Sequence, residues 1–116
     1  RIPEGEFAYD STMLTHHSED FILAEILRSK LLLLLHEEVP YQCYTDIEHK
    51  QEQAKHWVIH ANIWVPTSAK KALVIGKGGS KLKQIGEQAR SAMRAYLDKE
   101  VVLKTWVKIG TPQHED

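Results

Sequence analysis

Between two stretches of helical periodicity the chain carries Gly76-Lys77-Gly78-Gly79, three glycines in four positions. A regular helix does not run through such a segment, because each interior glycine costs about 1 kcal/mol relative to alanine. The chain has to turn there. On the N-terminal side the pattern predicts a short helix over Ala69–Ile75, capped by Ser68. On the C-terminal side Leu82, Ile85, Ala89, Ala92, Met93 and Tyr96 recur at three- and four-residue spacing, which predicts a longer helix over Ser80–Leu97.

A glycine turn between two helices lets a ligand approach the backbone with no Cβ in the way. It also aims helix N-terminal N–H groups at an anion. Lys77 lies in the turn and Lys81 and Lys83 follow it, adding mobile positive charge, while Val74, Ile75 and Ile85 offer apolar surface for unstacked bases. Phosphate at a loop with bases over an apolar groove is the logic of single-stranded nucleic-acid recognition. The candidate site is therefore Val74, Ile75, Gly76, Lys77, Gly78, Gly79, Ser80, Lys81, Lys83 and Ile85. A Walker A loop is excluded, because Gly78-Gly79-Ser80 follows Lys77 and places no Mg²⁺-binding hydroxyl. A dinucleotide fingerprint is excluded too, since Lys81 stands where its third glycine belongs and a helix precedes the loop.

Upstream, Leu23, Ile26, Leu27, Leu31 and Leu34 predict a helix over Ser18–His36, with Ser18 as cap and Glu19 and Asp20 at its positive end. Pro40 ends it. Alternation at Val39, Tyr41, Cys43, Thr45 and Ile47 predicts a strand, the polar run Glu48–Lys55 a connection, and Trp57, Ile59, Ala61, Ile63 and Val65 the inner face of a second strand. A third strand follows over Val101–Ile109. The order is α-β-β-α-α-β, an α+β fold with a three-stranded mixed sheet covered by three helices. Residues 1–17 read as a linker or extension, residues 18–110 as one domain and residues 111–116 as a flexible tail.

Other residues receive plainer readings. Trp64 and Trp106 are expected in the core rather than as stacking platforms. Gly86, costly within a helix, is expected where another helix approaches closely. The single Cys43 is expected as a small buried hydrophobe. His56 and His60 alternate on a strand with no thiolate or carboxylate pattern beside them, so no metal site is expected. Nor is a catalytic group, since Glu37-Glu38 has no placed partner.

The formal net charge of −1 hides an asymmetry. Residues 1–67 hold five Lys/Arg against eleven Asp/Glu, whereas residues 68–110 hold ten against three. Nucleic-acid binding needs local positive potential, and the second half supplies it. The Leu31–Leu35 run is bracketed by Lys30 and Glu37, too closely for a membrane span of about 20 residues. The absence of an initial Met leads one to expect a processed product or an excised piece, and no secretory signal is legible.

Gly76-Lys77-Gly78-Gly79 matches the GXXG loop of KH domains, and α-β-β-α-α-β is the order of their type II fold. Beyond the loop, AEILRSKLLLLLHEEVPY (24–41), IHANIWV (59–65), KKALVIGKGGSKLKQIGEQAR (70–90) and VVLKTWVKI (101–109) resemble the C-terminal domain of Era GTPases. Within that family the chain looks most similar to the animal mitochondrial branch. The resemblance implies an RNA-binding domain for the 3′-end region of small-subunit rRNA, acting in assembly of the ribosomal small subunit. It implies loop roles for Gly76, Lys77, Gly78 and Gly79 and groove roles for Val74, Ile75, Ser80, Lys81 and Ile85. It further implies a partner GTPase domain preceding residue 1, which would hold GTP and Mg²⁺ as the cofactors. The chain itself has no GTPase motif and is expected to bind no cofactor. A monomer in the mitochondrial matrix is implied, with peripheral inner-membrane association of the parent protein and a bacterial-type cytoplasmic setting as the alternative. A second functional reading, a protein-interaction module docking on a GTPase or ribosomal protein without RNA, stays open.

Overall fold

The computed structural model describes the backbone of residues 11–112 and the side chains of residues 19–112. Helix α1 spans Ser11–Leu34 and leads through a 3₁₀ turn, Val39–Gln42, into strand β1, Tyr44–Glu52. Strand β2 covers His56–Val65, helix α2 Ser68–Ile75, helix α3 Ser80–Leu97 and strand β3 Glu100–Ile109, with a second 3₁₀ turn at Lys77–Gly79. The sheet order is β1-β2-β3. β1 and β2 form an antiparallel hairpin, and β3 lies parallel to β2 from His56↔Glu100 to Val65↔Ile109. A parallel neighbour needs a crossover, which α2, the glycine turn and α3 provide.

The core forms where three apolar rows meet. Leu23, Leu27 and Leu31, four residues apart on α1, are fully buried. So are Ile85, Ala89 and Met93 on α3 and Ile59, Ala61, Ile63 and Val65 on the inner face of β2. The leucine run divides by this period: Leu31 is in the core, while Leu33 is 65% exposed. Cys43 lies in the same cluster and donates its thiol to the Val39 carbonyl at 3.2 Å. Burial pushes that thiol up, with Lys70 opposing the shift, so it is held as a neutral thiol.

Several boundaries differ from the sequence expectation. Helix α1 begins at Ser11 rather than Ser18, and residues 1–10 of the expected linker lie outside the described residues, as do residues 113–116 of the tail. Glu19 and Asp20 consequently sit about two turns inside α1. They do not face its N-terminus but pair with Lys50 of β1, each at 2.7 Å, and the Lys50 side chain is only 3% exposed. Burial opposes the Lys50 ammonium, but hydrogen bonds and charge from Asp20 and Glu19 outweigh it and hold its pKa above the ordinary value. The helix ends at Leu34, two residues short of His36, and Glu37 takes φ 60°.

The first strand is also displaced. Val39–Gln42, which alternate like a strand, form a 3₁₀ turn, because Pro40 lacks an N–H for a ladder and packs at the turn's start. The polar run from Glu48, expected as a connection, continues β1 to Glu52, with an irregularity between Ile47 and His49. An edge strand with one wet face pairs through its backbone and tolerates polar side chains. The cap of α2 is Thr67, one residue before the expected Ser68, its hydroxyl accepting from the Lys70 N–H at 3.2 Å.

The three helices lie on one face of the sheet, and Trp106 belongs to the other. It stands opposite Asn62 and is 44% exposed, so it is not a core residue. His49, His60 and Trp106 form a row across the three strands with ring centroids 5.1 Å apart at each step. Trp64 is half-buried and donates its indole N–H to Asp46 at 3.0 Å.

Candidate nucleic-acid interface

The glycines of the loop do two different jobs. Gly76 closes α2, donating its N–H to the Ala72 carbonyl at 2.9 Å, with φ 77° and ψ 174°. That combination is essentially reserved for glycine. A Cβ at Gly76 would lie 2.6 Å from Lys81 Cβ and 2.8 Å from the Lys81 backbone nitrogen, so this glycine lets the end of α2 meet the start of α3. At Gly78 and Gly79 an added Cβ would meet nothing within 4 Å. These two leave the outer surface of the turn bare.

Beyond the turn a groove of about 340 Å³ runs along α3. Gly79 forms its loop end, and Leu82, Lys83, Gly86, Glu87 and Arg90 form one wall. The opposite wall is strand β3, through Leu103 and Thr105. Cationic Lys83 and Arg90 thus flank a trough with an apolar floor, next to a turn that carries Lys77. Lys77 and Lys83 are exposed and have no ion-pair partner among the described residues.

The residues predicted from sequence separate here. Gly79 and Lys83 line the groove, and Lys77, Gly78 and Ser80 are exposed at its loop end. Val74 and Ile85 are 0% exposed and belong to the core, so they offer no surface to a base. Ile75 is half-buried beside the turn. Lys81 faces elsewhere: it lines a second hollow with Leu34, Leu35, Val39 and Leu73, at the end of α1.

Sequence reasoning missed Leu82, Glu87, Arg90, Leu103 and Thr105 as groove residues. The signal it did have was Gly86. No helix approaches Gly86, since an added Cβ there would meet nothing within 4 Å, and the glycine instead opens the groove wall.

A GXXG turn between two helices, ahead of a third strand laid parallel to an antiparallel hairpin, is the type II KH architecture. Residues 38–114 match the family described as KH domain. The chain is 37% identical over 109 residues to GTPase Era of Azotobacter vinelandii, covering 94% of the chain and 36% of that protein. It is 38% identical over 110 residues to GTPase Era of Heliobacterium modesticaldum, covering 94% and 37%. Among solved structures, Era in complex with MgGDPNP and nucleotides 1506–1542 of 16S ribosomal RNA superposes with a TM-score of 0.75 at 33% identity, over 93% of this chain and 37% of that one. An Aquifex aeolicus Era variant bound to GDP and AlF4⁻ gives the same TM-score at 32% identity, over 94% and 37%.

The chain belongs to the KH domain family, in the branch carried by Era GTPases. It spans just over a third of the length of the Era relatives it matches. The part it shares with them includes the KH domain.

Proposed function

We propose that this domain binds the single-stranded 3′-end region of small-subunit rRNA during assembly of the ribosomal small subunit, as part of an Era-like GTPase. The observation that carries the reading is the trough between α3 and β3, which opens at a bare glycine turn flanked by Lys77 and Lys83. Backbone N–H groups and lysines at the turn hold phosphates, while bases lie over Leu82, Gly86 and Leu103. The solved Era bound to 16S rRNA supports the choice of RNA.

The partners that follow are the small subunit, its rRNA and a GTPase domain of the same protein, with the domain acting as a monomer. We place the parent protein in the animal mitochondrial branch of the family and in the matrix, peripherally associated with the inner membrane. Fractionation of the parent protein with mitochondrial ribosomes tests that placement, and recovery with cytoplasmic ribosomes of a bacterium refutes it.

The central test is fluorescence anisotropy with an rRNA 3′-terminal oligonucleotide. Lys77→Asp combined with Gly78→Asp places anions where phosphate would lie, at positions outside the core. Binding is expected to weaken at least about tenfold with unchanged far-UV circular dichroism. Three cations at the groove, Lys77, Lys83 and Arg90, set a log–log salt slope of about −2 for single-stranded RNA. If the double variant folds and binds as the parent does, the loop reading is wrong and a protein-docking role replaces it.

A further inference from the structure

The sheet face turned away from the helices is not the polar surface that water alone would favour. Alternation along the three strands puts Tyr44, His49, His60, Val102 and Trp106 on it. Tyr44 is 56%, Trp106 44% and Val102 43% exposed. The ring contacts from His49 to His60 and from His60 to Trp106 are tilted by 53° and 64°, so no ring face is fully covered by its neighbour. Large apolar groups gathered on an open surface mark a site of contact.

The carboxylates that share this face are already engaged. Asp46 accepts from Asn62 Nδ2 at 2.9 Å and from Trp64 Nε1 at 3.0 Å. Glu48 accepts from Lys108 Nζ at 3.2 Å, and Glu100 pairs with Arg94 at 2.8 Å. Lys108 also lies 5.3 Å from the centre of the Trp64 ring, so Trp64 is occupied as well. Lys104, two residues before Trp106 and on the same face, is exposed and has no ion-pair partner among the described residues. Open rings beside a free cation suit a chain of planar groups joined by anions, in which bases stack and phosphates meet the ammonium. The aliphatic groups here, Val58 and Val102, are too few for the apolar centre of a protein interface.

Strand β3 joins this face to the groove. It is an edge strand, with β2 as its neighbour in the sheet. Its Leu103 and Thr105 form the groove wall, while Lys104 and Trp106, alternating with them, face the other way. An RNA strand leaving the groove over that edge meets the open face next. We propose that the helix-free face of the sheet is a second surface for single-stranded RNA, continuous with the groove around the β3 edge, on which Trp106 stacks a base and Lys104 holds a phosphate. This rests on the RNA-binding reading above. Stacking of this kind is tolerant of sequence, so the face lengthens the bound segment without selecting a base.

The test uses the full chain at one fixed salt concentration with two kinds of fluorescein-labelled probe. One is the rRNA 3′-terminal oligonucleotide, and the other is the set of fragments of about four nucleotides that tile it, the span a KH loop holds. The parent is expected to bind the whole oligonucleotide more tightly than any fragment. Trp106→Ala should weaken the whole oligonucleotide about tenfold and leave the fragments unchanged. Trp106→Phe, which keeps a ring, should retain most of the affinity but lose the extra tryptophan quenching that the longer RNA produces. Lys104→Glu should again weaken only the longer RNA, and it carries the comparison if Trp106→Ala fails the matching thermal-unfolding control. Trp106→Ala binding every probe as the parent does, or weakening all of them equally, overturns the inference and leaves the groove reading standing. A dimer in sedimentation that Trp106→Ala dissolves assigns the face to a second copy and overturns it too. No binding of any probe by the parent overturns the RNA-binding reading itself.

Discussion

Replacing Gly76 by alanine, and separately Gly78 by alanine, distinguishes a glycine required by the fold from one left open for a ligand. At Gly76 two costs combine. The backbone at φ 77° and ψ 174° lies where other residues pay about 1–3 kcal/mol. The new methyl also meets Lys81 Cβ at 2.6 Å and the Lys81 backbone nitrogen at 2.8 Å, so α3 has to shift. Overpacking of that kind costs about 1–3 kcal/mol. Together they come to about 2–6 kcal/mol, a large share of a typical domain stability of about 5–15 kcal/mol. At Gly78, with φ 63° and ψ 20°, only the left-handed backbone matters, at about 1–2 kcal/mol, because nothing lies within 4 Å of the added carbon. Urea unfolding followed by tryptophan fluorescence measures both. With a slope of about 1–3 kcal/mol/M, the Gly76→Ala midpoint should fall about 1 M below that of Gly78→Ala. Coincident midpoints would refute the division of labour between the two glycines.

Asp98 closes α3 in the left-handed region, at φ 56° and ψ 42°, and donates its N–H to the Arg94 carbonyl at 2.8 Å. Asp98→Gly removes the Cβ penalty there and should raise stability by about 0.5–1 kcal/mol in the same urea assay. Around Lys50, Glu19→Ala with Asp20→Ala leaves a buried ammonium without its counter-charges and should cost about 3 kcal/mol, whereas adding Lys50→Met should recover much of the loss. Because the folded pKa of Lys50 is raised, its contribution is complete at neutral pH and is lost as pH rises through that raised value. Thermal unfolding of parent and Lys50→Met across alkaline pH should therefore converge.

The readings that held were those set by neighbours in sequence. Helix α3 runs Ser80–Leu97 as its period predicts, and the inner face of β2 carries Ile59, Ala61, Ile63 and Val65. Those that shifted depended on partners elsewhere in the chain. Val39–Gln42 alternates like a strand, but Pro40 and the packing of Val39 make it a 3₁₀ turn. Glu48–Glu52 is polar like a loop, yet β2 supplies backbone partners and it becomes an edge strand. Trp106 is large and apolar, but its parity in β3 turns it from the helices.

The loop divides in the same way. Local sequence was enough to place a turn at Gly76–Gly79, to put lysines around it and to exclude nucleotide-binding registers, because glycine chemistry and helix period act over a few residues. Only the tertiary structure decided what faces the loop. Val74 and Ile85 were drawn into the core, Lys81 was turned toward α1, and Leu103 and Thr105 came from a strand over a helix-length away to form the second groove wall. A groove is a relation between two elements, and the parallel docking of β3 beside β2, made through backbone hydrogen bonds and the burial of Val101 and Val107, created that relation.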